Sequence, residues 1–107
     1  MDLYISIPIT GHDINKVREK ADLIKARYSK LGNRVVTPFD ICAGKDPTYG
    51  DHLAFDLRAM MSCDRVLFCA GWEQSMGCCI EHDTAMRMKS FAGRHPHARD
   101  FQILYEV

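Results

Sequence analysis

Apolar residues in this chain follow two alternating patterns: short β-rich runs, and longer stretches in which they recur every three or four positions. Short apolar runs bounded by Gly, Pro or Asp are typical of buried strands. Pro8 is expected to end the regular part of the first strand because proline cannot donate a ladder hydrogen bond. Four such runs predict strands, over residues 3–9, 34–37, 65–69 and 101–105.

The longer stretches predict three helices. Asp13 is the expected N-cap of the first helix and Gly32 its stop. Two further helices are predicted over residues 52–62 and 76–89, with Ser75 as the N-cap of the second. Segment 39–51 is predicted as a binding loop or lid, and 91–100 as a polar, His-rich loop. The apolar face of the first helix is expected to contain Val17, Ala21, Ile24, Tyr28 and Leu31.

Strands that alternate with helices on short connections predict a mostly parallel sheet covered on both faces. The predicted fold class is α/β, a small three-layer sandwich of flavodoxin-like or Rossmann-like type. The first and third strands are expected to lie side by side, so that segments 8–12 and 71–75 form a crevice at their carboxyl ends. A chain of 107 residues is expected to be a single domain, residues 1–107.

The overall charge argues against two classes of partner. Fourteen Lys and Arg balance fourteen Asp and Glu, so the chain has no net field that favours a nucleic acid polymer or an acidic membrane. No apolar run approaches the length of a membrane span. The first six residues lack the basic segment and long apolar stretch of a secretion signal, so a cytoplasmic location is the expectation.

The five cysteines do not predict a disulfide framework, because their number is odd and no targeting segment implies an oxidising compartment. Cys78 and His82 have the i, i+4 spacing with which two metal ligands share a helical face, and Cys79 lies beside them. No second pair with ligand spacing is present to complete four ligands. Buried apolar thiols are therefore the favoured interpretation, and no metal or organic cofactor is expected.

The segment that follows the third predicted strand contains the strongest candidate chemistry. Glu81 lies six residues after Ser75, a helical advance of about 9 Å. Ser75 adds a hydroxyl to the free N–H groups of a helix N-terminus, a natural place for an anion. The pair predicts a small phosphorylated or hydroxylated ligand with chemistry at Glu81. Arg and Lys are scarce around this motif, with Arg58 and Lys45 as the candidates for charge neutralisation.

Three stretches together resemble the nucleoside 2-deoxyribosyltransferase-like superfamily, and in particular its short bacterial and phage members. Residues 4–11, Tyr-Ile-Ser-Ile-Pro-Ile-Thr-Gly, are similar to the family's Tyr-Ile-Ser-Gly-Pro-Ile-Thr-Gly opening. Residues 56–64 resemble an Asp-Leu-containing helix that ends in Asp before the central strand. Gly71-Trp72, Ser75-Met76-Gly77, Glu81 and Ala85 match the Gly-Trp, Ser-x-Gly, Glu and Ala pattern. The resemblance covers nearly the whole chain.

The resemblance implies a role for each matched residue. Glu81 would be the nucleophile, Tyr4 would orient it, and Asp56 would donate a proton or position the substrate, with Asp64 behind it. Ser75 occupies the position where deoxyribosyltransferases have Asp and deoxynucleoside 5′-monophosphate N-hydrolases have a phosphate-binding Ser. Ile7 departs from the family's Gly and would crowd the sugar or phosphate. The other expected substrate contacts are Ser6, Pro8, Ile9, Gly11, Trp72 and Gly77, together with Asp64.

The activity implied by this resemblance is cleavage of the N-glycosidic bond of a 2′-deoxynucleoside or its 5′-monophosphate. Hydrolysis is favoured over base exchange because Ser75 replaces Asp. A non-catalytic nucleoside- or nucleotide-binding module of the same fold is the alternative, and a metal-binding regulator using Cys78, Cys79 and His82 is a third. The expected partner is a small molecule, and the family implies a homodimer or larger homo-oligomer that completes the crevice.

Overall fold

The computed structural model describes residues 1–96 and 100–107. None of the helices in these two ranges is long and apolar enough to cross a membrane. Short 3-10 turns lie at Pro38–Asp40 and Trp72–Gln74. The main elements are β1 (Asp2–Ser6), α1 (Ile14–Lys30), β2 (Arg34–Val36), α2 (Tyr49–Met61), β3 (Arg65–Phe68), α3 (Met76–Ser90) and β4 (Gln102–Tyr105).

The strands form one parallel sheet in the order β2-β1-β3-β4. The predicted neighbour relation of the first and third strands is confirmed, with Tyr4 opposite Val66 and Ser6 opposite Phe68. The chain leaves β1 towards β2 on one side and leaves β3 towards β4 on the other. This divergence makes the carboxyl ends of β1 and β3 the switch point at which doubly wound folds open a crevice.

Side-chain alternation along β1 and β3 divides the core into two layers, as the two-residue period of a strand requires. Residues on one face pack with Val17, Ala21 and Ile24 of α1. Residues on the other face, including Tyr4, pack with Met60 of α2 and Ala85 of α3. The structure is thus the three-layer α/β sandwich that the sequence predicts, with helices on both faces of the sheet.

Several element boundaries differ from the sequence-based prediction. The first strand ends at Ser6, earlier than predicted, and residues 7–9 turn into the loop that leads to α1. Helix α2 begins at Tyr49, three residues before the expected start, because Thr48 and Asp51 cap each other's backbone N–H groups. Leu31 was expected on the apolar face of α1, but it lies just beyond the helix and is exposed.

The predicted N-caps of α1 and α3 are confirmed. Asp13 accepts hydrogen bonds from the backbone N–H groups of Asn15 and Lys16, and Ser75 accepts one from Cys78. Residues 91–96 of the predicted polar loop form turns and a bend. His97, in the same segment, lies outside the described residues.

Candidate functional site

A crevice of about 580 Å³ opens at the carboxyl ends of β1 and β3, within the size range of small-molecule sites. The loop after β1, the turn after β2, one face of α2 and the first turns of α3 surround it. Its lining residues include Ile7, Ile9, Arg18, Phe39, Tyr49, His52, Asp56, Ser75, Gly77, Cys78 and Glu81.

Glu81 lies at the inner wall of the crevice and is only 4% exposed. Two hydroxyl groups hold its carboxylate in place. Tyr4 Oη donates a hydrogen bond of 2.7 Å to Oε2, and Ser6 Oγ donates one of 2.7 Å to Oε1. Because each oxygen has its own donor, the carboxylate has a defined orientation before any ligand enters.

The electrostatic surroundings keep a proton available on this carboxylate near neutral pH. Burial raises the pKa of Glu81 to about 7, against the lowering effect of the Tyr4 and Ser6 hydrogen bonds. The negative charge of Asp56 adds to the increase. Burial also raises the pKa of Asp56, to about 6. Two carboxyl groups that interact in one crevice and titrate near neutrality are a frequent feature of acid–base sites.

Tyr4 and Ser6 act from behind Glu81, since both side chains are fully buried and are not among the lining residues. They alternate with the residues of β1 that face α1, so the strand itself directs both hydroxyls towards α3. Burial and the neighbouring Glu81 charge raise the pKa of Tyr4 well above its ordinary value. Tyr4 therefore remains a neutral hydrogen-bond donor at physiological pH, which suits a positioning role.

The first turn of α3 forms another part of the crevice wall. Ser75 lines the crevice, and its Oγ accepts a hydrogen bond of 3.3 Å from Cys78 N. Gly77 follows in the same turn, directly beneath the hydroxyl of Tyr49 from α2. Tyr49 lines the crevice and is 44% exposed, so this part of the wall adjoins the solvent.

Replacing Gly77 with alanine should impair ligand binding without destabilising the fold. An added Cβ would lie 3.0 Å from Tyr49 Oη, which must move by a few tenths of an ångström into the crevice or the solvent. Alanine in a helix is favoured over glycine by about 0.5–1 kcal/mol, so the midpoint temperature of thermal unfolding should not fall. The double variant Gly77→Ala/Tyr49→Phe removes the crowding oxygen and should recover part of the lost affinity. If the single and the double variant bind the ligand with equal affinity, the contact between residue 77 and Tyr49 Oη has no influence on binding.

Two of the predicted substrate contacts in the β1 loop, Pro8 and Gly11, are not among the lining residues of the crevice. Gly11 has a φ of +84°, a conformation that favours glycine, in the turn where His12 N donates to Ile9 O. Pro8 lies against Gly71, with its Cγ 3.8 Å from where a Cβ on that glycine would be. Ile9 does line the crevice, as predicted.

Ile7 combines a core position with a position in the crevice wall. It is buried in the apolar cluster between the sheet and α1, and part of its side chain also lines the crevice. The expected crowding of the ligand by Ile7 stays a prediction.

Trp72 and Asp64 lie away from the crevice lining. Trp72 stacks on His82 with ring centroids 4.2 Å apart and packs against Phe68, so it covers the sheet rather than the ligand space. Asp64 lies just before β3, at the amino-terminal edge of the sheet, where Asp2 N donates to its Oδ2 at 2.9 Å. The carboxyl ends of the strands form the opposite edge, so Asp64 is a strand-entry residue and does not support Asp56.

Five polar or aromatic residues of the lining were not among the predicted site residues: Thr10, Arg18, Phe39, Tyr49 and His52. Arg18 belongs to α1, where a basic residue on the polar face of an amphipathic helix is ordinarily solvated. Arg58 and Lys45, the cations expected near the ligand, are not among the lining residues. The position of Arg18 near the start of α1, next to the carboxyl edge of the sheet, was the available signal.

Cys78, Cys79 and His82 do not converge. Cys78 lines the crevice, the Cys79 thiol donates to backbone carbonyls of the turn before α3, and His82 Nε2 is 2.7 Å from Tyr105 Oη. Within residues 1–96 and 100–107, no group of three or more His, Cys, Asp or Glu side chains is arranged to hold a metal ion. All five cysteines are free thiols.

The fold and the crevice define a doubly wound α/β protein with two interacting carboxyl groups at its switch point. The sequence matches the family described as domain of unknown function DUF4406 over residues 1–91. The chain therefore belongs to this family. No curated protein and no solved structure matches the chain significantly.

Proposed function

We propose that this protein cleaves the N-glycosidic bond of a 2′-deoxynucleoside or its 5′-monophosphate, with Glu81 as nucleophile. The supporting observation is the buried Glu81 carboxylate, held by the Tyr4 and Ser6 hydroxyls and interacting with Asp56 within one crevice. The resemblance of the three sequence stretches to the nucleoside 2-deoxyribosyltransferase-like superfamily gives the substrate class. Hydrolysis is preferred to base exchange because Ser75 occupies the position of the transferases' Asp.

In the first step, a Glu81 oxygen forms a bond to C1′ of the sugar while the bond from C1′ to the base nitrogen breaks. The electron pair of that bond goes to the base, which takes a proton from Asp56. Positive charge develops at C1′ in the transition state, and the fixed Glu81 carboxylate stabilises it. Tyr4 and Ser6 hold both carboxylate oxygens during this step.

In the second step, water attacks C1′ and the bond between C1′ and Glu81 breaks. The Asp56 carboxylate accepts the proton of the water, which restores both groups for the next cycle. A base positioned in place of the water would give transfer instead of hydrolysis. The reaction needs no redox partner, because bonds are exchanged without net oxidation.

The pH dependence of base release should be bell-shaped with a maximum at about pH 6.5, midway between the pKa values of about 6 and about 7. Glu81 must be ionised, so on the acid side of the maximum the rate rises with pH as more of Glu81 loses its proton. Asp56 must be protonated, so the rate falls as Asp56 loses its proton. The two pKa values are in the reverse order for these roles, so the reactive form is a minor species at every pH.

The variant Asp56→Asn tests this assignment. It should lower the rate by about a hundredfold to ten-thousandfold and remove the decrease at high pH. The rate should then rise with pH to a plateau whose midpoint is the pKa of Glu81 alone, lowered from about 7 by the loss of the Asp56 charge. A profile that keeps both limbs in this variant would assign the proton donor to another group.

The activity itself is tested with a panel of the four common deoxynucleosides and their 5′-monophosphates. Base release is followed by chromatography, and a second free base is added in parallel samples to detect transfer. We expect release of a free base with at least one substrate, with the phosphate preference visible in the paired compounds. Absence of release from the whole panel by folded protein would contradict the proposal.

A non-catalytic nucleotide-binding module is the second candidate, favoured by the presence of Ile7 in the crevice lining. In that case the protein would bind members of the same panel in calorimetry without releasing a base. The homo-oligomer implied by the resemblance stays a prediction that sedimentation measures directly.

A further inference from the structure

Arg18 and Phe39 form a pair at the side of the crevice that lies next to β2. The guanidinium carbon of Arg18 is 5.0 Å from the centroid of the Phe39 ring, and both residues line the crevice. A guanidinium over an aromatic face is a favourable cation–π arrangement. Among the described lining residues, Arg18 is the only Arg or Lys.

Regular backbone carries both residues of the pair. Arg18 is part of the regular helix α1, and Phe39 belongs to the 3-10 turn Pro38–Asp40, which packs against the α1 side of the core. Asp40 fixes that turn by accepting hydrogen bonds from Thr37 and an ion pair of 2.9 Å from Lys25 of α1. The guanidinium lies over the Phe39 ring and lines the crevice. We call Arg18 and the turn Pro38–Asp40 the shelf.

The strand order separates this shelf from the N-terminus of α3. Phe39 follows β2, at one side of β1, whereas Ser75 and Gly77 follow β3, at the other side. The other lining residues from the loop after β1, the start of α1 and the turn after β2 are mostly apolar, with Thr10 as the polar exception: Ile7, Ile9, Thr10, Ile14 and Pro38. A mostly apolar wall that carries one multi-donor cation is suited to an aromatic ring with acceptor atoms on its edge.

The geometry points to Arg18 as the residue that reads the base, selecting a ring that presents two adjacent hydrogen-bond acceptors, such as the O6 and N7 edge of guanine or hypoxanthine. This inference rests on the nucleoside substrate class of the proposed function. A guanidinium has five N–H donors in a fixed fork and no acceptor. It pairs with O6 and N7 together, but the amino group of adenine places a donor against it.

If the base lies beside Arg18, the phosphate can lie at the N-terminus of α3, where the crevice has more N–H donors. A phosphate needs several N–H donors, which the first turn of α3 supplies beside Ser75. Beside Arg18, the only side-chain donor among the described lining residues of the loop after β1 and the turn after β2 is the Thr10 hydroxyl. The sugar would then lie between the two sites, next to Glu81.

The experiment compares equilibrium binding of 2′-deoxyinosine and 2′-deoxyadenosine 5′-monophosphates, whose bases differ at C6 in an oxo or amino group. Calorimetry is carried out with the Glu81→Gln protein, so that binding is measured without turnover. The same background then carries Arg18→Met, Arg18→Lys, or the control Arg87→Gln, which changes an exposed arginine of α3 outside the lining. The corresponding unphosphorylated nucleosides form the second arm.

We expect the inosine compound to bind about tenfold more tightly than the adenosine compound in the Glu81→Gln protein and in the Arg87→Gln control. Arg18→Met should reduce this ratio to about twofold or less, and Arg18→Lys should lose most of it, because a lysine is a point charge without the fork. The ratio should be the same for the nucleosides. Arg18 is exposed, so these variants retain the core.

Three results would overturn the inference: an Arg18-containing protein without preference, a preference that survives Arg18→Met, or a loss confined to phosphorylated ligands. The last result would make Arg18 a phosphate ligand, a role that Arg18→Lys would largely preserve. The binding ratio does not depend on catalysis. An Arg18-dependent ratio in a protein that releases no base would therefore contradict the proposed activity and keep the inference.

Discussion

Replacing Glu81 with glutamine is expected to reduce base release at least about a thousandfold, because the amide cannot form the bond to C1′ or offer a full negative charge to it. Glutamine has nearly the same shape and still offers an oxygen acceptor to Tyr4 or Ser6. The remaining hydroxyl can rotate to accept from the amide N–H. The loss should therefore appear in kcat, with a smaller change in the affinity for the intact substrate.

The matched control is Glu73→Gln, the same chemical change at an exposed residue of the 3-10 turn just before α3. This variant should retain wild-type base release, and circular dichroism of both variants should match the wild type. A Glu81→Gln protein with more than about a tenth of the wild-type rate would remove Glu81 as the nucleophile. The charge of Glu81 would then contribute little to the rate, and other groups would be the catalytic ones.

Glu81→Gln should also change how stability depends on pH. The pKa of Glu81 is about 7 in the folded protein, against an ordinary value of 4.5, so the folded state holds the proton more tightly than the unfolded state. The stability that this group contributes is fully present below pH 4.5 and is lost as the pH rises towards 7. The loss between pH 5 and pH 8 is on the order of 2–3 kcal/mol.

Urea unfolding at pH 5 and pH 8 measures this effect. The free energy of unfolding of Glu81→Gln should rise relative to the wild type by that amount between the two pH values. Asp56, whose pKa is raised in the same direction, is present in both proteins, so the difference reports Glu81 together with its interaction with Asp56. The Glu73→Gln control should follow the wild type. Parallel curves for Glu81→Gln and the wild type would mean that the buried carboxylate has an ordinary pKa.

Local sequence signals predicted the helix starts that depend on short-range hydrogen bonds. Asp13 and Ser75 cap α1 and α3 through N–H groups two or three residues away. The start of α2 was missed because Thr48 and Asp51 occur in a stretch whose glycines and proline indicate a loop. Leu31 fits the spacing of the apolar face of α1, but the helix ends at Lys30. Its side chain therefore no longer points towards the core and is exposed.

The candidate site was predicted unevenly for a related reason. Glu81, Asp56, Ser75, Gly77 and Ile9 were placed at the crevice from motif resemblance, and all five line it. Trp72 and Asp64 adjoin the same motifs in sequence, but the strand direction carries Asp64 to the other edge and Trp72 onto His82. Arg18 belongs to no motif and enters the crevice only because α1 begins beside the end of β1.

The α/β class, the parallel sheet, the adjacency of the first and third strands, and the position of Glu81 in the helix that follows the third strand could all be predicted from the sequence. These properties follow from periodicity and from interactions within a few residues. The resemblance implied that Tyr4 orients Glu81, whereas Ser6 was expected to contact the substrate. Long-range packing placed both hydroxyls on the carboxylate, from residues 77 and 75 positions away in the chain. It also decided the burial that raises the pKa of this carboxylate, since three separate elements must pack together to exclude water from it.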